Sequence, residues 1–251
     1  MRWGWVLAVL AAALFGLWAL GLLPKREPTS QLWVISPEGL LAATSEAVLW
    51  ESPSGRVALT KIPTGETWRS NPTSNQIALV LRGRGETTFP QGSGTVGPEE
   101  LLLAFQGTGV EIRAQEELAL LVFSTPYPRA ASEEPQVPGG LLPMRVVLTE
   151  RFTQPLSELP GGPEGSPVFE SPTGSVWLLR LREAWAPSGT EDLVLYVVRG
   201  RLRVSAEGAT QFADPGRVVV LPAGLSAELE RAGDADEEVL LVGFALSGSP
   251  K

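Results

Sequence analysis

The chain has 251 residues, 43% of them hydrophobic, and a formal net charge of −8. An acidic chain lacks the basic surface that nucleic-acid binding requires, so we expect no nucleic-acid partner. The sequence contains no cysteine and no histidine. These absences exclude disulfides, thiolate catalysis and metal sites built on cysteine or histidine, and they remove the commonest general base.

The first predicted element is an apolar helix. The 21 residues 3–23 carry no charge and are flanked by Arg2, Lys25 and Arg26. A helix of this length rises about 30 Å, enough to span a bilayer core. We therefore predict that residues 1–30 form a transmembrane anchor and a short polar spacer, with a cleaved secretory signal as the alternative.

The charges beside this segment give little indication of its orientation. Arg2 and the terminal amine on one side oppose Lys25 and Arg26 on the other, so the positive-inside comparison is nearly tied. We predict that the rest of the chain lies outside the cytoplasm, held at the membrane by the helix. If the segment is cleaved, the protein is secreted.

Short apolar runs, rich in Val, Leu and Ile and bounded by Gly, Pro and Ser, follow the spacer. This pattern predicts the strands of an all-β sandwich or barrel. The predicted strands are residues 57–62, 77–81, 101–105, 118–123, 176–181, 193–198, 217–221 and 239–244. Residues 127–146 are rich in Pro, Gly and small residues, which predicts a connection between two domains.

The two halves of the chain repeat one another. Residues 51–57 (ESPSGRV) match residues 170–176 (ESPTGSV), and Trp68 matches Trp185. Further matches keep their order and shift their offset by only a few residues, which indicates an internal duplication. Gly83 and Gly200 occupy equivalent places after apolar strands, where a tight hairpin turn favours glycine.

The spacing of glycine and proline in the second half resembles the cupins, small double-stranded β-helix barrels whose two-domain members are called bicupins. Gly216 followed by residues 222–224 (PAG) has the spacing of the second cupin motif, and Gly200 fits the end of the first. In the first half, residues 62–65 and 76–83 resemble the strand and turn that lead into the first motif.

This resemblance covers about residues 48–123 and 168–244. It implies an all-β fold of tandem cupin (jelly-roll) barrels after the N-terminal helix. The first barrel is predicted over residues 31–126 and the second over residues 147–251.

The metal chemistry of cupins does not extend to this sequence. Cupins use two histidines and a glutamate of the first motif and a histidine of the second. The resemblance puts these ligands at Ser70, Pro72, Gln76 and Val110 in the first half, and at Pro187, Gly189, Leu193 and Ala227 in the second. None of these is a histidine, and one nearby carboxylate does not hold a transition metal. We therefore predict no metal and no cofactor.

Trp68 and Trp185 precede the positions of the missing ligands. Each ring is a candidate floor of a pocket that stacks on a planar or sugar-like ligand, or alternatively a plug that fills the vacated space. The candidate ligand-binding residues are Trp68, Arg69, Ser70, Asn71 and Gln76 in the first half, and Trp185 and Tyr196 in the second. The polar set favours the first half for a polar ligand, whereas the second half suits a small apolar one.

Acid–base catalysis has few candidate residues. In the second half these are Tyr196, Glu183, Glu191 and Asp192, and neighbours such as Glu191 and Asp192 face opposite sides of a strand. We assign no catalytic residue. We expect a non-catalytic, membrane-tethered bicupin that binds a small molecule or a protein partner without metal. The alternatives are a scaffold assembled by barrel dimerisation or with an envelope protein, and a metal-independent isomerase or lyase.

Overall fold

The computed structural model describes residues 32–90, 92–126, 144–152, 156–158, 163–233 and 238–247. The predicted transmembrane segment and most of the predicted connection, residues 127–143, lie outside these residues. Within the described part of the chain, no helix is long and apolar enough to cross a membrane.

The described residues form antiparallel strands and two short helices. The first half contains β1 (Trp33–Ile35), α1 (Pro37–Ala43), β2 (Glu46–Ser52), β3 (Gly55–Ile62), β4 (Thr67–Arg69), β5 (Ser74–Arg82), β6 (Gly85–Phe89), β7 (Gly92–Val96), β8 (Glu100–Ala104), β9 (Glu111–Ala114) and β10 (Leu118–Pro126). The second half contains β11 (Met144–Val147), α2 (Leu148–Phe152), β12 (Ser157–Glu158), β13 (Glu164–Ser171), β14 (Gly174–Leu181), β15 (Glu191–Arg199), β16 (Leu202–Ala206), β17 (Ala209–Ala213), β18 (Val218–Leu221), β19 (Ala227–Arg231) and β20 (Val239–Ser247). Each predicted strand overlaps an observed one, and the predicted all-β fold is confirmed.

The strands form two barrels, each made of a large and a small sheet. In barrel 1 the large sheet has the order β11-β8-β5-β10-β3-β2 and the small sheet the order β4-β9-β6-β7. In barrel 2 the large sheet has the order β1-β18-β15-β20-β14-β13-β12 and the small sheet the order β17-β16-β19. The predicted duplication explains this likeness, because β3, β5 and β10 take the same places in barrel 1 as β14, β15 and β20 in barrel 2.

Two strands near the ends of the barrels in the chain are exchanged between the barrels. β1 precedes barrel 1 in the chain but pairs with β18 of barrel 2, with Val34 opposite Val219. β11 follows the connection but pairs with β8 of barrel 1, with Val146 opposite Leu101. The predicted boundaries, which assign residues 31–126 to the first barrel and start the second at residue 147, do not include this exchange.

The two large sheets pack face to face through a shared apolar core. Phe123 of β10 lies with its ring centre 5.5 Å from that of Phe244 of β20, and Phe105 lies 6.2 Å from Phe169. Each barrel also has an apolar core of its own in its interior. The strands of the large sheets are therefore buried on both faces, which explains why their sequences are continuously apolar rather than alternating.

The hairpin predicted at Gly83 and Gly200 is wrong, although both residues need to be glycine. They have φ values of 83° and 75°, and a side chain would collide with the backbone carbonyl of Glu117 or Glu238. The strands before and after each glycine belong to different sheets. The turn thus carries the chain from the large sheet to the small sheet of one barrel.

Candidate functional site

A cavity of about 430 Å³ lies at one end of barrel 2. Its walls are the inner faces of β13, β14, β15 and β20, together with the loop that follows β14. Because alternate residues of a strand point to the same face, β15 contributes Glu191 and Leu193 to this interior, and β20 contributes Gly243, Ala245 and Ser247.

The register of the strands arranges these side chains in rows from the depth of the cavity to its mouth. Trp177 lies opposite Gly243 in the deeper row. Ser175 and Leu193 flank Ala245 one row further out. Glu191 pairs with Ser247 at the mouth. The cavity is therefore largely apolar inside and polar at its opening.

Two small residues of β20, Gly243 and Ala245, line the cavity. A Cβ atom on Gly243 would lie 3.0 Å from Leu179 Cδ1 and 3.3 Å from Leu195 Cδ2. The equivalent residues of barrel 1 are Val122 and Ser124. A glycine inside an apolar strand often marks a close approach by another group, and at Gly243 these groups are the side chains of Leu179 and Leu195.

Two tryptophans line the cavity. Trp185, a predicted site residue, is partly buried, packs against the core of barrel 2 and exchanges two backbone hydrogen bonds of 2.8 Å with Leu229. Trp177, which the sequence analysis missed, is fixed by a 2.9 Å hydrogen bond from its Nε1 to Ser175 Oγ. The indole of Trp177 is therefore fixed by a hydrogen bond, whereas that of Trp185 is held by packing against the core.

The cavity occupies the place where the cupin resemblance puts the metal. Pro187, Gly189 and Leu193 line it, and Ala227, the fourth ligand position, is buried at the start of β19. None of these side chains offers a donor atom to a metal. The described residues also contain no group of three or more potential ligands among His, Cys, Asp and Glu. The residues present therefore cannot bind a metal ion in the way that cupins do.

Of the charged residues that the structure describes, two glutamates line the cavity and no Lys or Arg does. Glu191 is exposed, and its Oε1 accepts a 3.2 Å hydrogen bond from Ser247 Oγ. Glu170 is partly buried on β13, where it pairs with Ser175 of β14. In the described part of the chain, neither carboxylate belongs to an ion pair.

The residues predicted as a site in the first half lie together at the end of barrel 1, but they bond to the protein itself. Arg69 is exposed, and its Nε lies 2.8 Å from Glu111 Oε1. Ser70 donates its N–H to the carbonyl of Val110 and accepts the N–H of Val110 at its Oγ, both at 2.9 Å. Trp68 packs against the core of barrel 1.

Gln76 is bound at both ends of its side chain. Its Nε2 donates to Ser124 Oγ at 3.0 Å, and its Oε1 accepts the N–H of Asn71 at 2.7 Å. Asn71 in turn accepts the N–H and hydroxyl of Thr73 at its Oδ1. In barrel 1, the position of the missing glutamate is thus part of an internal hydrogen-bond network.

Tyr196 faces away from the cavity of barrel 2. It packs against the core shared by the two barrels and lines a separate space of about 210 Å³ beside α1. Burial, together with the smaller effect of the carboxylates of Glu99 and Glu38, raises the pKa of Tyr196 to about 12. Asp192, which also points outward, accepts the N–H of Ala223 at 2.8 Å. Glu183 is exposed and is not among the lining residues, so Tyr196, Asp192 and Glu183 do not converge with Glu191 on the cavity.

No protein-family model matches the sequence, and no curated protein matches it. Solved structures do resemble the fold. A cupin 2 conserved barrel domain protein from Leptotrichia buccalis is 14% identical, with a TM-score of 0.66 over 86% of this chain and 96% of that one. The protein Ylba from E. coli is 11% identical, with a TM-score of 0.63 over 92% of this chain and 98% of that one.

A salicylate 1,2-dioxygenase from Pseudaminobacter salicylatoxidans is 15% identical, with a TM-score of 0.61 over 89% of this chain and 86% of that one. At such low identities, these similarities establish the fold alone. They agree with the cupin motifs, the duplication and the paired sheets. The chain therefore has the fold of the cupin superfamily, with two barrels in tandem.

Proposed function

We propose that barrel 2 binds a small molecule in its cavity, without a metal and without catalysing a reaction on it. The observation that carries this proposal is the cavity itself, about 430 Å³ and lined by Trp177 and Trp185. Its volume lies within the range of roughly 300–1,000 Å³ that is usual for small-molecule sites. Its mixture of apolar walls and a few polar groups is also usual for such sites.

Among the described acid–base groups, only the carboxylates of Glu170 and Glu191 line this cavity. The sequence has no histidine and no cysteine. The hydroxyl group of Tyr196 belongs to a different surface, and the side chain of Asp192 bonds to the backbone. These facts favour a binding protein over the alternative of a metal-independent isomerase or lyase.

The proposal includes attachment to a membrane, with the barrels outside the cytoplasm. It is supported by the 21 uncharged residues 3–23 of the sequence. The test is extraction of membranes with alkaline carbonate. The full chain should stay in the membrane pellet, whereas a chain that begins at residue 31 should be released.

The binding function is tested by blocking the cavity. The full chain in detergent is screened by thermal shift against sugars, organic acids, amines and aromatic metabolites, since a ligand of the native state raises its stability by mass action. Ala245→Met places a longer side chain in the cavity and should abolish the shift produced by any hit. Ala209→Met, at an exposed position of β17, is the matched control and should leave the shift unchanged.

The outcomes separate the candidate functions. A saturable shift that Ala245→Met removes supports ligand binding in barrel 2. A shift that survives Ala245→Met contradicts the assignment to this cavity. If no compound stabilises the protein, the alternative of a scaffold that dimerises or binds an envelope protein is favoured, and the oligomeric state becomes the next measurement.

A further inference from the structure

We infer that the ligand of barrel 2 is an organic cation, an amine or quaternary ammonium joined to an apolar body. This inference rests on the proposed function and names the chemical class that the cavity selects. It follows from the charges at the mouth, the composition of the walls and the depth of the apolar region.

The charged residues that line the cavity in the described part of the chain are all negative. Among the described residues, Glu170 and Glu191 line it and no Lys or Arg does, and neither carboxylate belongs to an ion pair within this part of the chain. The whole chain is also acidic, with a net charge of −8. An anion would be repelled on approach, whereas a cation would be attracted to this opening.

The walls provide a second source of attraction for a cation. The π-electrons of an indole ring attract a cation, and tryptophan is the best of the aromatic side chains in this respect. Trp177 and Trp185 both line the cavity, and the bond from Trp177 to Ser175 holds one of them in place. Carboxylates and indoles together are the groups that recognise alkylammonium ions.

The inner part of the cavity determines the chemistry of the uncharged part of the ligand. Leu193 and Ala245 lie one row below Glu191, in the row of Glu170, and Gly243 lies one row deeper. These residues offer apolar surface, and Gly243 and Ala245 take up little side-chain volume. A ligand with its charged group at the mouth would bury an apolar body against these residues. Small inorganic cations lack such a body and would gain nothing from this part of the cavity.

Three probes of similar shape test the inference. Benzylamine, benzyl alcohol and benzoate are a cation, a neutral molecule and an anion at pH 7, each with one phenyl ring. We expect calorimetric titration of the full chain to show benzylamine binding about fivefold to tenfold more tightly than benzyl alcohol, because a cation–π contact and a nearby carboxylate contribute about 1 kcal/mol. Benzoate should bind most weakly.

Variants that remove one carboxylate each test whether the preference for a cation arises at this cavity. Glu191→Gln and Glu170→Gln should each lower the affinity for benzylamine about two- to fivefold and leave that for benzyl alcohol unchanged. Glu51→Gln removes one carboxylate at the position of barrel 1 that matches Glu170, so it has the same effect on net charge and should change neither affinity. Added salt should weaken benzylamine binding alone.

The outcomes distinguish failure of the proposed binding function from failure of the inference that the ligand is an organic cation. Equal binding of benzylamine and benzyl alcohol, both blocked by Ala245→Met, overturns the inference and leaves the proposed function standing. Preference for benzoate overturns the inference as well. A cation preference that Glu51→Gln lowers as much as Glu191→Gln does would be an effect of net charge and would also overturn it. If none of the three probes binds and no compound of the thermal-shift screen stabilises the protein, both the inference and the proposed binding function are overturned.

Discussion

The duplicated tryptophans show how one residue can serve two roles in one chain. Trp68 and Trp185 match in sequence, are both partly buried and pack against the core of their own barrel. In barrel 1, the neighbouring Gln76 and Ser124 bond to each other. In barrel 2, their counterparts Leu193 and Ala245 face an open cavity. The tryptophan is a core residue in both barrels, and in barrel 2 it also forms a wall of the cavity.

Replacing either tryptophan should cost similar stability, but only one should affect binding. Trp185→Ala and Trp68→Ala remove partly buried rings, so each should lower the free energy of unfolding by about 2 kcal/mol, less than the roughly 3–5 kcal/mol of a fully buried ring. Denaturant unfolding measures this loss. Only Trp185→Ala should abolish stabilisation by a bound ligand. A loss of 3–5 kcal/mol for Trp185→Ala with ligand binding unchanged would instead support the plug interpretation.

Tyr196 should make stability depend on pH in the alkaline range. Burial keeps its hydroxyl protonated in the folded protein up to a pKa of about 12, whereas an unfolded tyrosine titrates near pH 10. The stabilisation is therefore complete below about pH 10 and is lost as the pH rises to about 12, a change of roughly 2 to 3 kcal/mol. Tyr196→Phe should remove this part of the pH dependence, measured by denaturant unfolding at a series of pH values. An unchanged slope in Tyr196→Phe would show that other groups cause it.

At the scale of the elements, the repeated motif before β3 and β14 is explained by packing between the barrels. Gly55 and Gly174 are the equivalent glycines of residues 51–57 and 170–176. A Cβ on Gly55 would lie 2.5 Å from Leu246 Cδ2, and a Cβ on Gly174 would lie 3.0 Å from Phe123 Cζ. Each barrel thus uses its glycine to admit a side chain from the other, and the duplication preserves both halves of this arrangement.

Adding one methyl group at this position should destabilise the protein. A Cβ on Gly174 would also lie 2.6 Å from the backbone carbonyl oxygen of Ala245, which cannot move without disturbing β20. We expect Gly174→Ala to cost about 1–3 kcal/mol, measured by chemical denaturation. Gly109→Ala is the matched control, since no atom lies within 4 Å of its added Cβ. A cost below 0.5 kcal/mol for Gly174→Ala, within the usual range of surface changes, would contradict this account of the packing.

The sequence predicted the strands and the fold because local patterns determine them. Apolar runs between turn residues located β3, β5, β10 and their counterparts, and the motif spacing indicated cupin barrels. The position of the cavity could not be predicted in the same way, since it depends on the volume left between strands. The polar set around Gln76 suggested a site in barrel 1, but its hydrogen bonds are made within the protein.

The exchange of β1 and β11 between the barrels could not be predicted from the sequence either. β1 is three residues long, and nothing in Trp33–Ile35 distinguishes pairing with barrel 1 from pairing with β18. The choice depends on which sheet edge lies within reach in the folded chain. Tertiary arrangement, rather than local preference, decides such a pairing.

At the scale of the described pair of barrels, the two domains share a core and exchange strands, so we do not expect them to fold independently. Their large sheets bury one common core, and each of these sheets includes a strand from the far side of the boundary in the chain. A barrel separated from its partner would expose Phe244 or Phe123, and it would also lose an edge strand. Burial of these aromatic side chains is among the larger contributions to stability.

We therefore expect the barrels to unfold in a single transition. Calorimetry of the chain from residue 31 onward should give one peak whose calorimetric and van't Hoff enthalpies agree. Phe244→Ala, in the common core, should lower the free energy of unfolding by about 3–5 kcal/mol and shift this one peak by roughly 2–4 °C per kcal/mol. Two peaks, of which Phe244→Ala moves only one, would mean that the barrels fold separately. A single peak would mean instead that a ligand bound in barrel 2 protects barrel 1 as well, because stabilising one part of a cooperative unit stabilises all of it.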